Sequence, residues 1–90
     1  MNYRDLYFSL ISRFLLGSMS REEIAAVVAD QVPIDVAYDE RERELLTNCE
    51  WAIRHATEAD FYTTEKEFVY YESCLRGAEV FSAANRDGRL

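Results

Sequence analysis

LISRFLLGSMSREEIAAVV, residues 10–28, holds the end of one helix and the beginning of the next. Before and within it, apolar residues recur at spacings of three and four, which is the period of one helical face. These residues are Tyr3, Leu6, Tyr7, Leu10, Ile11 and Phe14. Gly17 provides a stop signal, and Ser20 and Glu23 have the spacing of a capping box. The stretch therefore predicts one helix over about residues 2–16 and a second that begins after Ser20.

Downstream, two more helices are predicted from their boundary signals. Pro33 ends the second helix, because the residue before a proline is disfavoured in helical geometry. The run DERE at 39–42 is a capping candidate and predicts a third helix over about residues 40–57. Thr64 and Glu67 repeat the capping-box spacing and open a fourth helix.

The fourth helix is expected to reach Ala83, and the sequence NRDGRL predicts a flexible tail at 85–90. No stretch alternates apolar and polar residues for long enough to predict a strand. A chain of 90 residues forms one domain with a modest core. We therefore expect an all-α fold, a small antiparallel four-helix bundle, in which residues 1–90 form a single acidic helical domain.

Acidic residues outnumber basic ones by 17 to 10, which gives a formal net charge of -7. The excess is uneven, because residues 35–79 carry twelve acids against five bases and so account for a net charge of -7 by themselves. Such a chain is unsuited to direct binding of nucleic acid or of anionic membranes, since both require phosphate charge to be neutralised. A basic protein is the partner that this charge favours.

The cysteine and histidine content argues against metal, cofactor and catalytic sites. Cys49 and Cys74 are too few and too widely spaced for a disulfide framework or a zinc site, and His55 is the only histidine. The sequence contains no phosphate-binding glycine loop or nucleophile motif. Arg13 interrupts the early apolar run, so neither a signal peptide nor a membrane span is predicted. We expect a soluble, cytoplasmic protein without enzyme activity, metal or cofactor.

The third predicted helix places Trp51, the only tryptophan, away from its core face. The core stripe consists of Leu45, Cys49, Ala52, Ile53 and Ala56. Beside Trp51, the opposite side carries Glu40, Glu44, Thr47, Asn48, His55 and Glu58. Either Trp51 packs against a neighbouring loop, or it is an aromatic anchor in an acidic surface, of the kind that concentrates binding energy at interfaces.

The fourth predicted helix has more apolar residues than one neighbour can bury. One stripe consists of Phe68, Tyr71, Leu75, Ala78 and Ser82, and it forms a core face. A second stripe, about 100° away around the helix, consists of Tyr70, Cys74 and Phe81. This second stripe either packs against another element or forms an exposed aromatic flank. Val69 lies outside both stripes and is expected to be exposed.

Acidic runs on helices are usually solvated faces without a binding role. In this chain, however, the whole net charge coincides with surplus aromatic residues in the third and fourth helices, which favours a partner-binding face. The candidate partner-binding residues are Glu40, Glu44, Trp51, His55, Glu58, Asp60, Glu67 and Tyr70.

The order of elements resembles that of a known family. Residues 10–28, followed by the acidic segment ELLTNCEWAIRHA at 44–56, are similar in layout to small colicin D-type immunity proteins. The resemblance implies an acidic four-helix bundle that binds and blocks the basic catalytic domain of a tRNA-cleaving toxin. It covers most of the chain in layout and only a few residues in detail, and no binding residue of the family matches a numbered position here.

Two other functions remain open at this point. The same charge would suit a phage-encoded inhibitor of a nucleic-acid-guided defence complex, of the anti-CRISPR type, because the channels of such complexes are also basic. Alternatively, the chain is a non-enzymatic adaptor that forms a homodimer, in which Tyr70, Cys74 and Phe81 meet their own copies across a two-fold axis.

Overall fold

The computed structural model describes residues 1–59 and 62–88. Within these residues the chain forms five helices and no strand. The helices are α1 (Tyr3–Leu15), α2 (Arg21–Gln31), α3 (Arg43–Arg54), α4 (Glu65–Leu75) and α5 (Ala83–Asp87). The all-α prediction is confirmed, and the four longer helices pack as a small bundle. The antiparallel arrangement of its helices stays a prediction.

The first two helices begin and end where the sequence predicted. Asn2 caps α1 by accepting a hydrogen bond from the backbone N–H of Asp5, and Gly17 follows the helix with a φ of 80°. Ser20 and Glu23 form the predicted capping box at the start of α2, each side chain accepting from the other residue's backbone N–H. Both boundaries are set by local chemistry, which explains why the sequence alone located them.

One hydrophobic core joins the four longer helices. Helices α1 and α3 contact each other, and each of them also contacts both α2 and α4. The buried residues of this core are Tyr7, Leu10, Ile11, Ile24, Val28, Val32, Leu46, Cys49, Ala52, Ile53, Ala56, Phe68, Tyr71 and Leu75. The predicted core stripe of α3 is confirmed at Cys49, Ala52 and Ile53, whereas Leu45 is only half-buried and its neighbour Leu46 is buried.

Helix α3 is shorter than predicted, and the capping prediction at its start is wrong. The Asp39 carboxylate accepts from the backbone N–H of Arg41, and the Asp39 carbonyl accepts from the N–H of Glu42. These bonds close a turn before the helix, so Asp39 is no longer available to cap it. Glu42 occupies the cap position without a side-chain capping bond, and α3 runs only from 43 to 54.

Helix α4 opens with the predicted capping box but ends at Leu75, eight residues before Ala83. Gly77 adopts a φ of 83°, and the N–H of Ala78 bonds to the carbonyl of Ser73 at 2.9 Å. This left-handed residue reverses the chain, because glycine reaches positive φ without a steric cost. Ala78 is therefore exposed and does not continue the core stripe.

The second apolar stripe of α4 is covered by the chain itself. Tyr70 is 1% exposed, and its hydroxyl donates to the carbonyl of Val80 and accepts from the N–H of Ser82. Phe81 folds back so that its ring centroid lies 6.0 Å from that of Tyr70 and 6.0 Å from that of Tyr71. The packed interpretation of this stripe is correct at Tyr70 and Cys74, which are buried, while Phe81 is half-buried. The homodimer stays a prediction.

The segment after Phe81 contains α5, which the sequence did not predict. The Arg86 guanidinium donates to the Asn48 side chain at 2.9 Å, and Ser82 caps the helix through the N–H of Asn85. The predicted flexibility of 85–90 concerns motion and stays a prediction, and residues 89 and 90 lie outside the described residues.

Candidate partner-binding surface

Trp51 lies on the outer side of α3, as its position in the helix predicted. Its side chain is 52% exposed, and its ring stacks on that of His55, with centroids 5.1 Å apart and planes 13° from parallel. The two residues are four apart in sequence, so they are neighbours on one helical face. About half of Trp51 is therefore open to solvent. Packing of its other half against the loop DFYT at 60–63 stays a prediction, because residues 60 and 61 lie outside the described residues.

His55 is held on its other side by Glu58. The Nδ1 atom of His55 lies 2.8 Å from a carboxylate oxygen of Glu58, and the two side chains are 30% and 49% exposed. The imidazole therefore lies between an indole ring and a carboxylate. The ring stack and the Glu58 carboxylate thus lie together at the end of α3.

Beneath Trp51, a buried carboxylate organises a polar network. Glu50 is 5% exposed, accepts from the Tyr38 hydroxyl at 2.7 Å, and accepts from Nε of Arg54 at 2.8 Å. The Tyr38 hydroxyl also bonds to that of Tyr7. Burial raises the pKa of Tyr7 to about 12 and raises the pKa of Tyr38 further, because both phenolate forms would lose hydration. Both hydroxyls are therefore protonated at neutral pH.

The network reaches the connection between α2 and α3. Nη2 of Arg54 donates to the Val32 carbonyl at 3.1 Å, just before Pro33 turns the chain. Ile34 follows and is 95% exposed. A cleft of about 250 Å³ lies between these elements, and its lining residues are Ile34, Glu50, Trp51 and Arg54.

The structure brings together three of the predicted partner-binding residues, Trp51, His55 and Glu58. Glu44 is exposed and lies seven residues before Trp51, about two helical turns or 10 Å along α3. Glu40 is exposed in the turn that precedes the helix. These two carboxylates are therefore free to face a partner, at the other end of α3 from His55 and Glu58.

The other three predicted residues do not join this surface. The Glu67 carboxylate accepts from the N–H of Thr64 at 3.1 Å as part of the capping box of α4. Tyr70 is buried, so it cannot act as an exposed anchor, and its hydroxyl is committed to the chain that follows Gly77. Asp60 lies outside the described residues.

Sequence reasoning missed Ile34, Glu50 and Arg54 as parts of the surface. Glu50 was assigned to no face of the third helix, although its spacing of four from Arg54 is the signal of a helical ion pair. Ile34 lies in a connection without periodicity, so no helical pattern marks its position. Its apolar character directly after Pro33 was the one available signal.

Neither cysteine contributes to this surface. Cys49 and Cys74 are buried in the interior and are not joined by a disulfide, and burial raises the pKa of the Cys49 thiol, which keeps it protonated and unreactive. Over residues 1–59 and 62–88, no group of three or more His, Cys, Asp or Glu side chains is arranged to hold a metal ion. None of the helices in those residues has the length and apolar character needed to cross a membrane.

No protein-family model, curated protein or solved structure matches this chain. The surface around Trp51 is therefore interpreted from its own chemistry. That chemistry is an exposed aromatic ring, an exposed aliphatic side chain and nearby carboxylates, all on a chain with a net charge of -7.

Proposed function

We propose that this protein is a small, non-enzymatic inhibitor that acts in the cytoplasm. It binds and blocks the basic catalytic surface of a nuclease toxin, as an immunity protein does. The observation that carries the proposal is the exposed Trp51, stacked on His55 and bordered by the Glu58 carboxylate. The layout resemblance to colicin D-type immunity proteins supports the same class of partner.

The exposed indole supports a binding role because of its shape and chemistry. Tryptophan is among the residue types most enriched at binding hot spots, where a large rigid ring is desolvated inside a polar rim. Trp51 already has its orientation fixed by His55, so less side-chain freedom is lost when a partner covers it. The anchor is therefore preorganised in the free protein.

The charge supports the choice of a basic partner. Carboxylates at Glu40, Glu44 and Glu58 lie along or beside α3, and a net charge of -7 attracts a positively charged surface from a distance. Such attraction mainly accelerates association, whereas the desolvated anchor slows dissociation. Carboxylates placed against a nuclease would occupy the positions that nucleic-acid phosphates otherwise take, which blocks the substrate.

The test is capture followed by an activity assay. The tagged protein is used to retain partners at low salt, the retained proteins are identified by mass spectrometry, and each basic nuclease among them is assayed for tRNA cleavage. We expect one basic nuclease that is released by moderate salt or by added tRNA, and whose cleavage activity falls to background at a stoichiometric amount of the inhibitor.

A charge-reversal variant provides the matched control. Glu44→Lys combined with Glu58→Lys changes exposed side chains only, so the helical content measured by circular dichroism should remain that of the wild type. The variant should neither retain the nuclease nor inhibit it. If the capture experiment retains a nucleic-acid-guided defence complex instead of a nuclease, that complex is the partner and the protein is an inhibitor of the anti-CRISPR type. If it retains no basic protein, the proposal is contradicted.

A further inference from the structure

We propose that Ile34 and Trp51 form one docking surface, which takes an apolar side chain carried on a basic segment of the partner. We refer to Ile34, Trp51 and the cleft between them as the Ile34–Trp51 surface. This inference rests on the proposed function and specifies the chemistry of the partner at that site. It also gives the buried Glu50–Arg54 ion pair the role of positioning this surface.

Ile34 and Trp51 are two exposed apolar side chains that lie close to each other. Ile34 is 95% exposed and Trp51 is 52% exposed, and both line the same cleft of about 250 Å³. One side chain that enters this cleft would cover the isoleucine and one part of the indole together. Removing two adjacent apolar groups from water with a single anchor is the arrangement typical of a binding hot spot.

The two halves of the surface come from different parts of the chain, and one ion pair fixes their separation. Arg54 donates to the carbonyl of Val32, which precedes Ile34, and Glu50 accepts from the hydroxyl of Tyr38, which follows it. Both ends of the connection are thereby attached to α3 within one helical turn of Trp51. Ile34 is thus displayed from a short segment held at both ends, which lowers the ordering cost of binding.

The charges around the surface define the segment that fits it. Asp30 and Asp35, the charged residues nearest to Ile34 in sequence, are both exposed. Among the residues that the structure describes, Arg54 is the only cation that lines the cleft, and its guanidinium is committed to Glu50 and to the Val32 carbonyl. The charges available to a partner here are acidic, so the apolar anchor is expected between lysines or arginines.

The probe is a synthetic amphipathic helical peptide of leucine and lysine, titrated into the isotope-labelled protein and followed by NMR. A peptide of the same length, with glutamate in place of lysine, is the charge control. We expect the leucine–lysine peptide to shift the amide resonance of Ile34 and the indole N–H resonance of Trp51. The leucine–glutamate peptide should shift neither.

Two exposed substitutions decide where the peptide binds. Ile34→Asp should weaken binding of the leucine–lysine peptide about tenfold or more, as loss of a hot-spot anchor does. Val80→Asp is the matched control, since Val80 is also exposed, at 88%, but lies between α4 and α5. It should bind the peptide as the wild type does. Equal binding by Ile34→Asp and wild type, or shifts centred on another face, would overturn the inference.

The positioning role of the ion pair has its own readout. Arg54→Met should raise the amide hydrogen-exchange rates of residues 34–37 and weaken peptide binding, because the Val32 carbonyl and Glu50 lose their donor. Tyr38→Phe tests the same claim from the other end of the connection and preserves the aromatic packing. Unchanged exchange at 34–37 in Tyr38→Phe, or in folded Arg54→Met, would refute this role.

The inference and the proposed function fail in different ways. If the captured nuclease binds wild type and Ile34→Asp equally, the Ile34–Trp51 surface is refuted while the inhibitor function stands. If the peptide binds at the Ile34–Trp51 surface but no basic protein is captured, the inhibitor function is refuted while the surface and its preferred ligand chemistry stand.

Discussion

The guanidinium carbon of Arg21 lies 4.0 Å from the ring centroid of Tyr62, and the same group donates to the carbonyls of Ala56 and Thr63. Arg21 is the first residue of α2, and both carbonyls belong to the connection between α3 and α4. A single side chain therefore closes this end of the bundle, through hydrogen bonds to the backbone and a cation–π contact.

Arg21→Met should lower the free energy of unfolding by about 2–3 kcal/mol, because two carbonyls lose charged donors and the cation–π contact is removed. Urea denaturation followed by circular dichroism measures the change. Arg41→Met, at an exposed position, is the matched control and should stay within about 0.5 kcal/mol of the wild type. A loss in Arg21→Met no larger than in Arg41→Met would contradict this account of the bundle's end.

Gly77→Ala should destabilise the protein by about 1–2 kcal/mol, because its φ of 83° places an added Cβ in the left-handed region. No atom lies within 4 Å of the added Cβ, so the cost comes from the backbone conformation alone. Gly88→Ala is the control, since Gly88 has a φ of -66° and an added methyl group there meets ordinary contacts. Thermal unfolding measures both variants, and only Gly77→Ala should lower the midpoint. An equal decrease of the midpoint in Gly77→Ala and Gly88→Ala would refute the explanation.

These boundaries show how much of the fold is readable from sequence. The ends of α1 and the start of α2 depend on Asn2, Gly17 and the Ser20 capping box, which act over a few residues. The end of α4 was misplaced because apolar residues continue in helical register beyond Gly77, although the chain turns there. Periodicity does not reveal which glycine adopts positive φ when the residues beyond it keep the pattern.

The same limit applies to the candidate site. Trp51 was correctly placed away from the core face of α3, because position on a helix determines which face a residue occupies. The stripe of Tyr70 was left open between a packed and an exposed position, and its choice as a partner-binding residue was wrong because the chain after Gly77 folds over it. Ile34 and Trp51 line the same cleft because Arg54 donates a hydrogen bond to the Val32 carbonyl and so holds the α2–α3 connection against α3. This tertiary contact is not encoded in any local sequence pattern.

Tyr70→Phe should remove the acceptor of the Ser82 N–H and the donor to the Val80 carbonyl while the ring stays packed. We expect a loss of about 1–2 kcal/mol in unfolding free energy, together with faster amide exchange over 82–87, because α5 is attached through this hydroxyl. Partner binding should be unchanged, since Tyr70 is buried. Faster dissociation or lost binding in this variant would return Tyr70 to the interface.

The buried tyrosine pair predicts a stability limit at alkaline pH. The pKa of Tyr7 is raised by burial from 10.0 to about 12, so its contribution to stability is complete below pH 10 and is lost as the pH rises to about 12. Unfolding free energy measured by urea titration should begin to fall at about pH 9.0, where the Cys49 thiol ionises in the unfolded chain, and should fall more steeply above pH 10.0, where Tyr7 adds to the loss. Tyr7→Phe should reduce the steepness of this fall, and an unchanged slope would contradict the assignment to Tyr7.

The affinity of the captured nuclease for Trp51→Ala shows whether the exposed face of Trp51 binds a basic partner, as we propose. Isothermal titration calorimetry should show a dissociation constant raised about 30-fold or more relative to wild type, as truncation of a hot-spot anchor does. Val69→Ala, at another half-exposed apolar residue, should bind as the wild type does. A Trp51→Ala dissociation constant equal to that of wild type would place the interface elsewhere and contradict the account.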